Sequence, residues 1–524
     1  MPRFSPPPAE FPSAPPYADP PRPGAPSPAY AAPEPWRREP AGFASVPASG
    51  PAEPPAEAPA RNRSRRLLLG VTLAVVVVLL AGAALVVTRP GPLGRMFAAA
   101  AAPSPTTAAP NDPPAPPVLA GAPSDAPAPT EEGMTAALRP LLNDPRLGGH
   151  VVASVVDVGT GQQLFGRDPT GSVTPASTQK LLTAAATLAT RGPSYQIATR
   201  AVAGPNPGEV VLVGGGDPTL SINGKGSYPD AARLDQLATQ VKQALGGTAP
   251  TRVLVDSSLY TGPSIGPGWL PADVSAGYVS RITPLMTDGA RTDPKNLGEP
   301  SLRYAKPDLA AGQAFAKLLG LPASAVSMGV AEPNASPLGE VKSPPVIRLI
   351  DEMLSASDNV IAEMLARQVA LARNQPASFA GATSAIMQVL GDLRLPTSNV
   401  TLVDGSGLST RNRLTPALLT SLLTLAASPD QTNLRGIFTA LPVAAWSGTL
   451  KDRYQSANTG GSAAGTVRAK TGTLDGVNAL AGVVVDADGR LLAFAVLADA
   501  TPSLWPAEMA LDRVAAAVAR CGCR

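Results

Sequence analysis

The sequence predicts an α/β chain of the α+β kind: one antiparallel sheet assembled from the two ends of its globular part, flanking helices with a helical subdomain between those ends, and a β-rich inserted domain. Strand-like runs occur early, at Val151 to Asp157 and Gln162 to Phe165, and late, at Val467 to Thr473, Val477 to Val485 and Leu491 to Ala498. Helical patterns fill the middle, at Asp308 to Leu319, Pro345 to Leu371 with a break near Ser355 to Asn359, Gly381 to Leu393 and Pro416 to Ala426. Pro and Ala crowd the front of the chain, which leaves roughly 390 residues for the folded part.

From Met1 to about Ala60 roughly one residue in three is proline and apolar periodicity is absent, which predicts a disordered tail over residues 1–66. Such a tail is a candidate ligand for a polyproline-reading partner. Arg61, Arg63, Arg65 and Arg66 precede Leu67 to Val87, an uncharged run of 21 residues. At ~1.5 Å per residue it spans roughly 30 Å, so it predicts a transmembrane helix over 67–87. The arginines outweigh Arg89 and Arg95 and place the N-terminus in the cytoplasm, with the folded part beyond the membrane. The alternative is a cleaved signal peptide, helped by the run Ala98 to Ala102; so long a core behind so long a tail fits an uncleaved anchor better. Residues 88–130, rich in Pro, Ala, Thr and Ser, read as a tether reaching at most ~130 Å.

The folded part opens with a short helix near Thr135 to Leu142 and the hairpin that starts at Val151, and residues 131–194 form its first section. Strand-like pieces at Ile197 to Val202, Glu209 to Val213 and Arg252 to Val255 predict a β-rich insertion over 195–300, and residues 301–524 complete the main domain. The last two strands are joined by Asp486-Ala487-Asp488-Gly489, a hairpin turn, and a helix from about Pro506 to Ala519 ends the domain.

The net charge of +3 gives no ground for nucleic-acid binding. With one histidine, His150, and two cysteines, Cys521 and Cys523, neither a metal site nor a cofactor is expected. A Ser-His-Asp triad has only His150 to draw on. The cysteines lie too late to staple a core; oxidation to each other, oxidation to another chain and a free thiol tail all remain open.

The chemistry gathers at Pro175-Ala176-Ser177-Thr178-Gln179-Lys180, where a turn feeds a helix. A spacing of three puts Ser177 and Lys180 on one helix face, so the amine reaches the hydroxyl. A helix N-terminus disfavours a nearby ammonium, which suits Lys180 to the role of general base. No other lysine in the chain has a serine three residues before it. Of three S-x-N triplets, at Ser221, Ser357 and Ser456, only Ser357-Asp358-Asn359 sits at a break between helical runs, where side chains can point into a cleft. Lys470-Thr471-Gly472-Thr473 is the single K-T-G, on a strand where a glycine lets a ligand backbone come close.

S-x-x-K, S-D-N and K-T-G in this order are the signature of penicillin-binding proteins and class A β-lactamases. With Gly214-Gly215-Gly216-Asp217-Pro218-Thr219-Leu220, Ala362-Glu363 and Asp404-Gly405-Ser406-Gly407-Leu408-Ser409, the chain from about Gly148 to Cys523 resembles the D-alanyl-D-alanine carboxypeptidase/endopeptidase family, the low-molecular-mass class C penicillin-binding proteins. The resemblance implies a β-lactamase/transpeptidase-like fold with an insertion between the first two motifs. It also implies a serine hydrolase acting on peptidoglycan stem peptides, without a cofactor, and acylated by β-lactams. In that reading Ser177 attacks the carbonyl between two D-alanines, Lys180 takes its proton, and Ser357 relays a proton to the leaving amine. Asn359 holds the stem amide. Lys470, with the Thr471 and Thr473 hydroxyls, binds the terminal carboxylate, and the N–H groups of Ser177 and Thr473 form the oxyanion hole. Asp217, Asp404 and Ser406 are candidates for substrate contact, and Arg411 and Arg413 for meeting an acidic stem. The rival readings are a β-lactamase or esterase on the same fold and a silent wall-binding module. Against the first, Glu363 is the only glutamate between Ser357 and Lys470, and the glutamate followed by Leu-Asn that marks class A β-lactamases is absent. Against the second, every motif residue is present.

Overall fold

The computed structural model describes residues 126–298 and 300–523. The expected tail, transmembrane helix and nearly all of the tether lie outside the described residues; among the described residues, no helix is long and apolar enough to cross a membrane.

In chain order the elements that build the fold are α1 (Glu131–Leu142), β1 (Val151–Asp157), β2 (Gln163–Arg167), α2 (Lys180–Arg191), β3 (Ala198–Ala203), β4 (Glu209–Val213), α3 (Leu234–Ala244), β5 (Arg252–Asp256), α4 (Pro271–Ser275), α5 (Pro307–Leu319), β6 (Val326–Met328) and β7 (Pro337–Lys342). There follow α6 (Val346–Ser355), α7 (Asn359–Ala372), α8 (Phe379–Asp392), α9 (Pro416–Ala427), α10 (Gly436–Ala440), β8 (Arg468–Leu474), β9 (Val477–Val485), β10 (Leu491–Ala498) and α11 (Leu504–Ala519).

The main sheet runs β2-β1-β10-β9-β8, antiparallel throughout, so the first and last strands of the domain lie side by side. Both faces are covered, which is why β1 and β10 are apolar almost without interruption. The period of two sends Val152, Ala493, Ala495 and Leu497 to the side of α2 and α9, and Val151, Val155, Phe494 and Val496 to the side of α1 and α11. Thr130 caps α1 by accepting from Gly133 N–H, and its own N–H donates to the Cys523 carbonyl, so the two ends of the domain meet. Cys521 and Cys523 are joined in a disulfide.

The insertion departs from the expected one in extent and type. A second sheet, β6-β5-β4-β3-β7, is mixed: β4, β5 and β6 run parallel, while β3 pairs antiparallel with β4 and β7. It therefore continues to Lys342 rather than ending near residue 300. Parallel neighbours need crossovers, and α3 and α5 supply them. Their apolar residues, Leu237, Val241, Phe315 and Leu319 among them, pack with Val210, Leu212, Val253 and Val255 of the sheet. The helical pattern at Asp308 to Leu319 thus belongs to the insertion, which is α/β rather than β-rich.

Candidate active site

Ser177 is carried on a 3-10 turn, Ala176–Gln179, that leads into α2 at Lys180, and not on the α-helix itself. In a 3-10 turn residues i and i+3 eclipse, so Ser177 and Lys180 face the same way. Ala176 holds a positive φ of 47°, uncommon for a residue with a side chain, and this bend turns the serine out at the sheet edge. Two glycines wedge the turn. A Cβ on Gly407, itself at φ 82°, would stand 2.0 Å from the Ala176 carbonyl oxygen, and one on Gly472 would stand 2.7 Å from that of Pro175. Gly472 is therefore needed for the approach of the chain's own turn.

Lys180, fully buried, brings its Nζ to 2.8 Å from Ser177 Oγ, 2.6 Å from Asn359 Oδ1 and 2.8 Å from the Ser406 carbonyl. The last two only accept, so the protonated amine donates to all three oxygens, and once neutral it keeps its two protons on these acceptors and turns its lone pair to the serine O–H. That is the arrangement a general base requires.

Ser357 occupies the break between α6 and α7 with φ 62°. Its Oγ accepts from Lys470 Nζ at 2.9 Å, and the same amine donates to the Thr471 carbonyl at 2.9 Å. Burial above all pushes the Lys470 amine well below the ordinary lysine range. Thr471 shares a hydroxyl contact of 2.8 Å with Thr449, and the exposed Thr473 donates to Glu508 at 3.3 Å.

Ser177, Tyr278, Asn359 and Thr473 lie where two lobes of one groove meet. The smaller, about 250 Å³, is lined further by Ser357, Thr449, Arg453, Thr471 and Glu508. The larger, about 400 Å³, includes Asp273, Leu408, Leu474 and Leu504.

Ser406 and Asp404 lie near Lys180 but beneath the groove, and both are fully buried. Asp404 is a hub: Oδ1 accepts from Gly407 N–H, Asn412 Nδ2 and Gln179 Nε2, and Oδ2 from Ser409 N–H and Trp269 Nε1. Its carboxylate shapes the turn that aims the Ser406 carbonyl at Lys180, which leaves it no free face for substrate. Asp217 is buried in its own turn and accepts from the Thr219 N–H and hydroxyl; burial lifts its carboxyl to about 6. Neither it nor Arg413, which donates to Thr174, Thr410 and Asn412, lines either lobe, whereas Arg411 is exposed. His150 pairs with Asp499 at 2.5 Å on the surface and lines neither lobe.

The role of Glu363 was not legible in the sequence. Fully buried, it accepts from the Gly405 and Ser406 N–H groups at 2.9 and 2.8 Å and pairs with Arg367 at 2.7 Å. It is the second anchor of the Asp404 turn, and it presents no carboxylate to water beside Ser177.

A profile of the D-Ala-D-Ala carboxypeptidase 3 (S13) family matches residues 134–302 and 298–518. Among curated relatives, a carboxypeptidase of Mycobacterium tuberculosis is 43% identical over 425 residues, covering 79% of this chain and 90% of the relative. Carboxypeptidase DacB of Mycolicibacterium smegmatis is 41% identical over 468 residues, covering 88% and 98%. Among solved structures, penicillin binding protein 4 (dacB) of Haemophilus influenzae superposes with a TM-score of 0.58 at 21% identity, over 74% of this chain and 97% of that one, a likeness of fold. On the profile match and these identities, the chain belongs to the D-Ala-D-Ala carboxypeptidase 3 (S13) family of serine peptidases.

Proposed function

We propose that this enzyme cleaves the terminal D-Ala-D-Ala bond of peptidoglycan stem peptides through a Ser177 acyl-enzyme. The observation that carries the reading is the contact of Lys180 Nζ with Ser177 Oγ at 2.8 Å, with two acceptors holding the amine's protons elsewhere. Lys180 takes the serine proton as Oγ bonds to the scissile carbonyl carbon. Ser357 and Lys470 return a proton to the departing amine. Lys470, Thr471 and Thr473 hold the terminal carboxylate in the smaller lobe, and the stem lies along the larger one against Asn359. The N–H groups of Ser177 and Thr473 stabilise the oxyanion. The arginine-flanked run 67–87 would anchor the chain in the cytoplasmic membrane, with the enzyme outside and the proline-rich tail inside, open to a polyproline-reading partner.

Because a β-lactam's leaving group stays tethered and Glu363 is enclosed, hydrolysis of the acyl-enzyme should be slow. Purified enzyme mixed with penicillin should gain the mass of one intact penicillin and keep it, and Ser177→Ala should gain nothing. Covalent labelling of Ser177→Ala, or turnover of penicillin within seconds, would sink this reading.

A further inference from the structure

The Ser357-Asp358-Asn359 segment is gripped from outside its own domain. Asp358 is buried at the N-terminus of α7, where Oδ1 accepts from the Val360 and Ile361 N–H groups at 2.8 and 3.0 Å. Its other oxygen faces the insertion. Oδ2 accepts from the Tyr228 hydroxyl at 2.7 Å and from Arg291 Nη2 at 3.4 Å, and Arg291 Nη1 donates to the same tyrosine oxygen at 2.6 Å. The result is a closed guanidinium, phenol and carboxylate cluster. Next to it Asn359 Nδ2 donates to the Tyr278 carbonyl at 3.0 Å, which fixes the amide flip that presents Oδ1 to Lys180.

The backbone that seats Arg291 is costly. Asp288, Gly289 and Ala290 have consecutive positive φ values of 55°, 61° and 65°, and two of them carry side chains. Such strain persists only where the surroundings over-determine it. Here the Ser227 N–H binds the Asp288 carboxylate at 2.7 Å and Arg303 binds the Gly289 carbonyl at 2.7 Å. Apolar packing runs the same way: Trp269, Val279, Ile282 and Met286 of the insertion form one core with Val360 and Met364 of α7. Neither Tyr228 nor Arg291 lines either lobe of the groove, so neither is placed to touch substrate.

We propose that Tyr228 and Arg291 of the insertion are positioning residues for acylation, which act through Asp358 to hold Ser357 Oγ against Lys470 and Asn359 Oδ1 against Lys180. The inference rests on the functional reading above. Asp358 stands between the two groups in sequence, so a turn of its carboxylate swings one on each side. The Tyr228 phenol, raised well above its ordinary range first by burial and then by the Asp358 charge, stays a donor. Burial pushes the Asp358 carboxyl up, but the Arg291 and Arg303 charges and the hydrogen bonds from Ile361 and Tyr228 outweigh it and hold the group ionised.

The test is penicillin acylation of the full chain, resolved into a binding constant and a first-order acylation constant. Displacement of about 1 Å at a reacting group costs on the order of 100-fold, so Tyr228→Phe should lower the acylation constant by ~10- to 100-fold. Binding should change less than ~3-fold, because the pocket walls are untouched. Thermal stability is read on the same samples, and the melting temperature of Tyr228→Phe should stay within a few degrees of wild type. Arg291→Lys, which keeps the charge, should acylate faster than Arg291→Met. Acylation of Tyr228→Phe at the wild-type rate, or equal losses in Arg291→Lys and Arg291→Met that follow a fall in melting temperature, would overturn the proposal while leaving the acyl-enzyme reading intact. A wild type that penicillin does not acylate would remove both.

Discussion

Lys180 and Lys470 each bring an amine to a serine hydroxyl, at 2.8 and 2.9 Å, but their surroundings assign them opposite work. Lys180 has acceptors for two of its protons, which leaves its remaining position facing Ser177, whereas Lys470 would meet the substrate's carboxylate as a cation. In the free enzyme burial above all lowers the Lys470 pKa, so Lys470 carries the charge that holds the carboxylate only below that lowered value. It follows that kcat/KM for a D-Ala-D-Ala peptide should fall on the alkaline side well before pH 10.5, where an ordinary lysine titrates. Lys470→Arg stays charged, so the pH profile should lose that alkaline limb. Its kcat/KM near pH 7.5 should still drop by about 10-fold or more, because a guanidinium does not fit a point-charge site. An unchanged limb in Lys470→Arg would show that another group sets it. These residues were legible because their chemistry depends on spacing: S-x-x-K is a local statement about one turn. Asp404 was not, because a carboxylate in a Gly-Ser turn has the same sequence signature whether it faces a ligand or, as here, five protein donors.

At the scale of elements, the site depends on how closely three segments approach. The turn before α2, the Asp404 turn and strand β8 meet where Gly407 and Gly472 leave room for the Ala176 and Pro175 carbonyls. Gly407→Ala faces both a positive φ and a backbone atom at 2.0 Å, so the Ser177 turn has to shift. Penicillin acylation should fall by ~100-fold in this variant while Ser177, Lys180 and Lys470 are all retained. Asp404→Asn is a milder version, since an amide cannot accept on both sides of the hub, and a loss of about 10-fold is expected. Wild-type acylation in both would mean that the turn does not aim Lys180. The strands and helices around this junction were readable to within a few residues, with β9 and β10 at Val477 to Val485 and Leu491 to Ala498, because period-two runs between turn residues leave few choices. In the insertion β3, β4 and β5 were readable too, but its extent was not, since β6 is only three residues long and β7 carries the sequence Pro-Leu-Gly-Glu-Val-Lys, with no apolar run to mark either as a strand.

For the whole molecule, the closing of the domain's two ends on each other decides where an independent folding unit can begin. Arg490 Nη1 donates to the Ala126 carbonyl at 3.0 Å, and the Thr130 N–H donates to the Cys523 carbonyl at 2.8 Å, so the unit starts a few residues before α1 rather than at Glu131. Thr130 also caps α1, and loss of such a cap costs about 1 kcal/mol. A chain shortened to residues 126–524 should therefore stay in solution without detergent and acylate with penicillin at the full-length rate. One shortened to 131–524 should acylate normally at 25 °C but melt a few degrees lower, because the cap and the Ala126 contact are lost together. The full-length chain should sediment with membranes, if 67–87 is an anchor, and the 126–524 chain should not. Sedimentation of both would place membrane affinity on the folded domain, and of neither would remove the anchor; reduced acylation by 126–524 would show that residues before Ala126 contribute to the site.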